Sequence, residues 1–147
     1  WYTDCSENRI LKKISNKEFI TYFVNDSPFP VMDRDSIMHT VISQDPTTKA
    51  VTFALTGQPK FIPEKDDYVR IPKLAGAWIM TPVSETETDV VILMSSDAGG
   101  SVPAFLANQQ VTVAPYKTLV KMKPMLEKPK YKNASVDFES ATVTYGK

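Results

Sequence analysis

Short apolar runs alternate with turn residues between residues 9 and 95. Runs rich in Val, Ile, Phe and Tyr with polar turns between them are typical of antiparallel β-strands. Alternation is clearest where Val51, Phe53 and Leu55 are separated by smaller or polar residues, so that strand should turn one face inward and the other toward water. The whole pattern predicts seven strands, near residues 9–14, 18–24, 36–43, 50–56, 68–72, 77–82 and 89–95.

A helix follows the last predicted strand. Leu106, Val113 and Val120 recur every seven residues, which gives this helix one apolar stripe. Pro115 lacks the N–H that a helix interior needs, so we expect a kink there that lets the two parts of the helix move separately. The chain is therefore predicted to be α+β, with an antiparallel sheet against one long helix and a groove between them that fits an apolar ligand.

The end of the chain follows a different pattern. Residues 127–147 are mostly polar, apart from four apolar residues that predict either an added strand or a loose tail: Val136, Phe138, Val143 and Tyr145. A chain of 147 residues is the size of one domain, and a domain of this size buries roughly 70% of its unfolded surface. We expect one domain over residues 1–126 and a C-terminal tail over residues 127–147.

Composition and charge exclude several kinds of protein. Lys plus Arg and Asp plus Glu number 17 each, so no overall charge favours nucleic acid, and the lysines at 128, 130 and 132 are interpreted as a solvated face. No apolar run reaches the roughly 18 residues that span a bilayer, so we expect a soluble protein. Cys5 is the only cysteine, which excludes an intrachain disulfide and favours the cytosol. Because the chain begins with Trp1 and not Met, we expect a processed or trimmed product.

Few residues are suited to catalysis or metal binding. His39, the only histidine, lies in a predicted strand between Met38 and Thr40, where a structural role is more common than a general base. Asp33-Arg34-Asp35 is interpreted as a charge cluster that pins a turn, in preference to a substrate site. Gly99-Gly100 lacks the spacing of a phosphate-binding loop and is interpreted as a flexible corner before the helix. One His, one Cys and scattered carboxylates predict neither a metal site nor a cofactor.

The apolar interior remains as the candidate site. Six methionines are spread through it: Met32, Met38, Met80, Met94, Met122 and Met125. Flexible thioethers adapt to irregular ligand surfaces, although they also fill ordinary cores. A curved sheet closed by one helix tends to leave a tunnel, and sites of this kind are mostly apolar with a few polar groups.

Several motifs, taken in order, resemble the StAR-related lipid-transfer (START) domain family. Residues 28–35, Pro-Phe-Pro-Val-Met-Asp-Arg-Asp, look like its Pro-aromatic-Pro followed by an Arg-Asp pair. Residues 68–70 and 76–78 look like its central strand, and residues 97–108 look like the corner and start of its C-terminal helix. The resemblance covers about residues 1–126, without the family's N-terminal portion.

The resemblance implies a helix-grip fold, in which a curved sheet wraps the C-terminal helix and one lipid or other hydrophobic molecule lies in the tunnel. The helix and neighbouring loops would act as a lid, with transient membrane contact and no catalytic step. Sterol-binding members often carry a charged residue on the strand after Asp35, where this chain has Thr40. A sterol is therefore not specifically supported.

Strand parity counted from Gly76 places ten residues around the ligand. The predicted ligand-binding residues are Met38, Thr40, Phe53, Leu55, Trp78, Met80, Ile92 and Met94 on the sheet, with Leu106 and Val113 facing them from the helix. Apolar burial would supply the affinity, and Thr40 would orient the ligand.

Two alternative functions stay open. A polyketide cyclase of the wider superfamily would use the same cavity but needs acid or base groups that point inward, and parity puts His39 on the outer face. A ligand-sensing regulatory domain is the second alternative, supported by the tail after Glu127. An exposed sheet edge would also favour pairing with another chain.

Overall fold

The structure is a computed structural model, and it describes residues 2–102, 104–139 and 142–144, with the side chains of 104–112 and 142–143 excepted. The chain divides into two compact units. One unit is Ser6–Ser101, and the other joins Trp1–Cys5 to Val102–Lys147.

The first unit holds the sheet that the alternating pattern predicts. Its strands are β1 Cys5–Lys13, which starts at the boundary of the unit, β2 Glu18–Asn25, β3 Arg34–Gln44, β4 Val51–Gly57, β5 Val69–Arg70, β6 Lys73–Pro82 and β7 Thr88–Asp97. Every one of the seven predicted strands is present. β1 and β6 begin four residues earlier than predicted, because residues 5–8 and 73–76 lack the β-branched and aromatic residues that mark a strand.

The strands follow the order β1-β2-β3-β4-β6-β7, so β1 and β7 are the edges of this path. The pairs β2 with β3, β3 with β4, β4 with β6, and β6 with β7 are antiparallel. β5 is short and lies parallel to the start of β3, beside Arg34 and Asp35. β3 therefore pairs with three strands, β2, β4 and β5.

Register partners share a face of the sheet, and neighbours along a strand point to opposite faces. The Trp78 face carries Phe19, Thr21, Phe23, Met38, Thr40, Ile42, Val51, Phe53, Leu55, Trp78, Met80, Val90, Ile92 and Met94. The Tyr22 face carries Ile20, Tyr22, Val24, Asp35, Ile37, His39, Val41, Ile79, Val91 and Leu93.

The packed core of this unit lies on the Tyr22 face. Its buried members are Ile20, Tyr22, Val24 and Ile37, and Leu11, Ile62 and Tyr68 pack against them. Tyr22 is directly opposite Ile37 across the β2–β3 ladder. The β4–β5 loop, residues 58–68, supplies Ile62 and Tyr68, so this loop covers one face of the sheet.

A buried ion pair joins the core to that loop. Arg70 Nε and Nη2 each lie 2.8 Å from an oxygen of Asp35, and the two side chains are 2% and 1% exposed. The remaining donors of Arg70 reach the carbonyl oxygens of Pro59, Ile62 and Pro63 at 2.5, 3.1 and 3.2 Å. All five N–H groups of the guanidinium thus have an acceptor. Removing Asp35 would leave a buried charge without its counter-ion.

Tyr22 lies under two cations and beside this pair. Lys65 Nζ is 4.5 Å and Arg9 Cζ is 5.1 Å from the centre of its ring, within the range of cation–π attraction. The Tyr22 hydroxyl is buried without a hydrogen bond of ordinary geometry. Burial, followed by the neighbouring Asp35 carboxylate, raises the pKa of Tyr22.

Arg34 and Asp33 fix the β2–β3 loop, residues 26–33. Arg34 donates to the carbonyl oxygen of Met32, and Asp33 Oδ1 accepts from the Ser27 N–H at 2.7 Å. The interpretation of Asp33-Arg34-Asp35 as a cluster that pins a turn agrees with these bonds. The partner of Asp35, however, is the distant Arg70, a pairing that the sequence analysis did not predict.

Two glycines form the corner after β7. Gly99 and Gly100 have φ of 65° and 58°, a left-handed conformation that glycine adopts without strain. Asp97 Oδ1 accepts from the Gly99 N–H at 3.0 Å, and Arg34 Nε lies 3.5 Å from the Ala98 carbonyl oxygen. The predicted corner is therefore present and is tied to β3.

The second unit holds the helices. They are α1 Ala104–Leu126 and α2 Pro129–Lys132, followed by a hairpin of β8 Ser135–Asp137 and β9 Thr142–Thr144. The helical assignment of α1 continues through Pro115 and Pro124, and the kink stays a prediction. Val136 lies in β8 and Val143 in β9, and the division of the chain into a domain over residues 1–126 and a tail over residues 127–147 stays a prediction. Tyr145 lies outside the described residues.

The apolar stripe predicted for α1 is only partly buried. Val113 is half-buried, but Val120 is 54% exposed. The side chain of Leu106 lies outside the described residues. On the described part of α1 the buried residue is Thr118, whose Oγ1 accepts from the Thr3 N–H at 3.3 Å.

None of the helices within residues 2–102, 104–139 and 142–144 is long and apolar enough to cross a bilayer. Within the same ranges, no three His, Cys, Asp or Glu side chains gather as metal ligands do.

The buried ion pair can be tested against an exposed one. Asp35→Asn should lower the free energy of unfolding by about 3–5 kcal/mol, because it leaves the Arg70 charge buried and uncompensated. Glu127→Gln breaks the exposed Glu127–Lys132 pair, whose atoms are 2.9 Å apart, and should cause no measurable change. Urea unfolding monitored by circular dichroism measures both. Equal effects of the two substitutions would contradict the role assigned to Asp35.

Tyr22→Phe tests the buried hydroxyl. At neutral pH the variant should be no less stable than the parent, because the hydroxyl that it removes has no hydrogen bond of ordinary geometry. A tyrosine in the unfolded chain ionises near pH 10, whereas folded Tyr22 resists ionisation. The contribution of Tyr22 to stability is therefore complete below about pH 10 and is lost as pH rises further. Above about pH 10 the phenylalanine variant should lose less stability than the parent. A large loss at neutral pH would show that the hydroxyl makes a stabilising bond.

Candidate functional site

The Trp78 face forms a continuous apolar surface on β4, β6 and β7. Trp78 is directly opposite Phe53 on β4 and Ile92 on β7. Side chains at such positions have Cβ atoms about 5 Å apart and contact one another. Next to this row, Gly76 lies between Leu55 and Met94. The centre of the face is therefore an indole ring surrounded by a phenyl ring, aliphatic groups and a thioether.

The predicted sheet residues come together on this face. All eight of them have side chains on it: Met38, Thr40, Phe53, Leu55, Trp78, Met80, Ile92 and Met94. Of the two predicted helix residues, Val113 is half-buried on α1, and the side chain of Leu106 is not among those described. That these residues bind a ligand stays a prediction.

Gly76 brings no side chain to the centre of the Trp78 face. A β-carbon at this position would collide with the Leu93 carbonyl oxygen and with the Met94 sulfur atom. The collision shows that the Met94 side chain lies across Gly76. Glycine therefore leaves room here for the Leu93 backbone and for the flexible Met94 side chain, which takes the space that a β-carbon on Gly76 would need.

Burial differs between the two faces. The core cluster draws all of its buried members from the Tyr22 face. On the Trp78 face, Met38 is buried, Phe53, Leu55 and Trp78 are half-buried and Met94 is 44% exposed. The Tyr22 face is itself exposed on β7, at Val91 and Leu93. Large apolar side chains that stay partly exposed together are typical of a binding surface.

Thr40 is the polar group nearest the buried end of this face. Its register partners are Phe19 on β2 and Leu55 on β4, and it is 4% exposed. The neighbouring Thr21 hydroxyl, on the same face, lies 3.4 Å from the Met38 carbonyl oxygen. Thr40 thus brings a hydroxyl group to a face that is otherwise mostly apolar, as is common in ligand sites where a few polar groups fix orientation.

Sequence analysis missed part of the face. Phe19 and Phe23 on β2, Ile42 on β3, and Val51 on β4 share it. The same alternation in the predicted strand 18–24 could have identified the two phenylalanines. β2 has apolar residues at both parities, Ile20 and Val24 included, so alternation within this strand alone does not distinguish its two faces.

A separate recess lies at the end of the sheet next to the Gly99-Gly100 corner. It is an open recess of about 400 Å³ between the end of β4, the start of β6 and the end of β7, with Gly57, Leu74 and Ser96 in its wall. These residues continue the Trp78 face toward the strand ends. No pattern in the sequence predicted this recess, because it depends on where β4 stops.

His39 lies on the Tyr22 face. Its Nε2 is 2.7 Å from Glu18 Oε1, and its register partner is Ile20. Parity correctly placed His39 opposite Met38 and Thr40. The histidine that a cyclase mechanism would use as acid or base is therefore not on the Trp78 face.

Comparison with known proteins agrees with this geometry. The family model of the START domain matches residues 1–132. Among curated proteins, the uncharacterized protein PA1579 of Pseudomonas aeruginosa is 34% identical over 128 residues, which is 87% of this chain and 62% of that protein. This chain thus spans less than two thirds of that relative.

Solved structures show the same fold. A STAR-related lipid transfer protein fragment from Xanthomonas axonopodis is 31% identical with a TM-score of 0.77, covering 87% of this chain and 71% of that one. Human STARD10 has a TM-score of 0.73 at 20% identity, and the match covers 90% of this chain and 54% of STARD10. Human StAR-related lipid transfer protein 5 has a TM-score of 0.74 at 13% identity, and the match covers 87% of this chain and 62% of that protein. The last two show the fold alone.

The sequence motifs, the sheet order and these matches agree with one another. The fold is START-like, with a curved antiparallel sheet and a helix. Because the family model covers most of its length, the chain belongs to the START domain family.

Proposed function

We propose that this START domain binds one lipid or other hydrophobic small molecule on the Trp78 face, in a tunnel under α1, and transfers it. The observation that carries the proposal is that eight residues, selected from the sequence as ligand contacts, share one partly exposed apolar face. The name of the Xanthomonas axonopodis neighbour, a STAR-related lipid transfer protein, supports the same function.

The affinity comes from apolar burial. Removing about ten methylene groups from water gives on the order of 8 kcal/mol before the cost of association. Trp78 and Phe53 offer flat surfaces to such a chain, and Met80 and Met94 adapt to its shape. This interaction needs neither a covalent step nor a catalytic residue.

Orientation and release need other features. The Thr40 hydroxyl, on a residue that is 4% exposed between Phe19 and Leu55, would hold the polar end of the ligand. Pro115 removes one hydrogen bond from the interior of α1, so we propose that the helix bends there when the ligand enters or leaves. The ligand contacts proposed on α1 are Leu106 and Val113.

Two adjacent residues of β7 provide a matched test of the binding face. Met94 on the Trp78 face is 44% exposed, and Leu93 on the Tyr22 face is 55% exposed. Native mass spectrometry of the parent protein incubated with a lipid panel should show one bound lipid. Met94→Glu should weaken binding at least tenfold, because it places a charge against the hydrocarbon, whereas Leu93→Glu should bind like the parent. No uptake of any lipid by the parent, or equal loss in both variants, would reject the proposal.

Thr40→Val tests orientation by the hydroxyl. The substitution keeps the shape of the side chain and removes its hydrogen-bonding group. Affinity for a ligand with a polar head should fall by about three- to tenfold, and affinity for a hydrocarbon analogue of the same length should not fall. Competition against a fluorescent fatty acid measures both ligands. An equal change for the two would show that Thr40 contributes shape alone.

A further inference from the structure

Arg34 is a buried guanidinium without a counter-ion. It is 7% exposed, almost as little as Arg70 at 6%. Arg70 pairs with Asp35, whereas none of the carboxylates in residues 2–102 and 104–139 forms an ion pair with Arg34. Arginine is almost never buried in a protein unless it is paired, because a lone charge loses its hydration there. Arg34 is thus a positive charge that the described part of the chain does not neutralise.

The hydrogen bonds of Arg34 go to neutral groups only. Nε lies 3.5 Å from the Ala98 carbonyl oxygen, and Nη1 lies 3.5 Å from Ser27 Oγ and donates to the Met32 carbonyl oxygen. Among the described residues, Nη2 has no acceptor. In Arg70, by contrast, all five N–H groups have one. The charge of Arg34 and its two Nη2 donors therefore remain available to an oxyanion.

Arg34 lies where the Trp78 face meets the open recess at the end of the sheet. It precedes Met38 by four residues on β3, and alternation therefore puts both side chains on the Trp78 face. Gly57, the register partner of Met38, is in the wall of the recess. Asp97, in the same wall, directly precedes the Ala98 carbonyl to which Arg34 points.

The other charges of the recess offset one another. Lys73 and Asp97 are register partners on β6 and β7, and both are in the wall. Asp97 Oδ1 also accepts from the Gly99 N–H at 3.0 Å. The remaining wall residues, Ser95 and Ser96 among them, are neutral. Arg34 therefore gives this end of the Trp78 face its excess of positive charge.

We propose that the ligand of the Trp78 face is an anionic lipid, and that Arg34 binds its oxyanion, a carboxylate or a phosphate, at the edge of the recess. This contact rests on the proposed function, because the hydrocarbon of the same lipid lies on the Trp78 face. A guanidinium suits the role, since its planar N–H groups match two oxygens of one oxyanion. Thr40 lies six residues further along β3, about 20 Å away, so its hydroxyl contacts a second polar group of the ligand.

Three probes with the same hydrocarbon chain test the charge of the headgroup: hexadecanoic acid, hexadecyl phosphate and hexadecanol. In competition against a fluorescent lipid at neutral pH, the parent should bind one of the two anions at least tenfold more tightly than the alcohol. The tighter of the two identifies the oxyanion as carboxylate or phosphate. Inorganic phosphate should not displace the anionic probes, and displacement as effective as theirs would show a site for the free ion, which would overturn the proposal.

Substitutions of Arg34 test which group is responsible for this preference. Arg34→Gln should remove the preference for the anion and leave the affinity for hexadecanol within about twofold of the parent. Arg34→Lys keeps the charge but not the planar pair of donors, so it should retain only part of the preference. Because Arg34 also holds the β2–β3 loop, circular dichroism must show that each variant is folded. The lysine variant decides the test if the glutamine variant does not fold.

Two lysine variants are matched controls for the loss of one positive charge. Lys12→Gln removes an exposed charge on β1, and Lys73→Gln removes one from the wall of the recess. Both should keep the preference of the parent for the anion. Loss of the preference in Lys73→Gln, with none in the folded Arg34 variants, would assign the anion to the exposed lysine and overturn the proposal.

The pattern of binding separates this contact from the proposed function. A parent that binds all three probes equally would retain lipid binding and reject the oxyanion contact. Equal weakening of all three probes in the Arg34 variants would also reject it, because a purely structural arginine affects every ligand alike. A parent that binds neither these probes nor any lipid of the panel would reject the proposed function itself, and the contact with it.

Discussion

The buried Asp35–Arg70 pair is the constraint on which the sheet unit depends. β5 has two residues and pairs only with the start of β3, which is too little to fix a strand on its own. The carboxylate of Asp35 holds Arg70, and the three remaining donors of Arg70 hold carbonyl oxygens of the β4–β5 loop. A lysine could not replace it, because an ammonium group has three donors where the site uses five.

This arrangement gives the two faces of the sheet different roles. The loop that Arg70 fixes covers Tyr22 and Ile37, so the Tyr22 face obtains a packed core from residues of its own unit. The Trp78 face contributes no member to that cluster, although Met38 on it is also buried. The cluster on the Tyr22 face of β2 and β3 therefore stabilises the fold, and the Trp78 face of β4, β6 and β7 is where we propose that the lipid binds.

The features that could be predicted from the sequence are those that depend on the alternation of side chains along a strand. The seven strands, the placement of eight side chains on one face, and the separation of His39 from Thr40 all follow from a period of two residues. Contacts between distant residues were not predictable in this way. Nothing near Asp35 indicates that its partner lies 35 positions later, and the neighbouring Arg34 was the more obvious candidate. The burial of Thr118 and the exposure of Val120 also differ from the predicted apolar stripe, because one hydrogen bond to Thr3 contributes to how that helix is oriented in its unit.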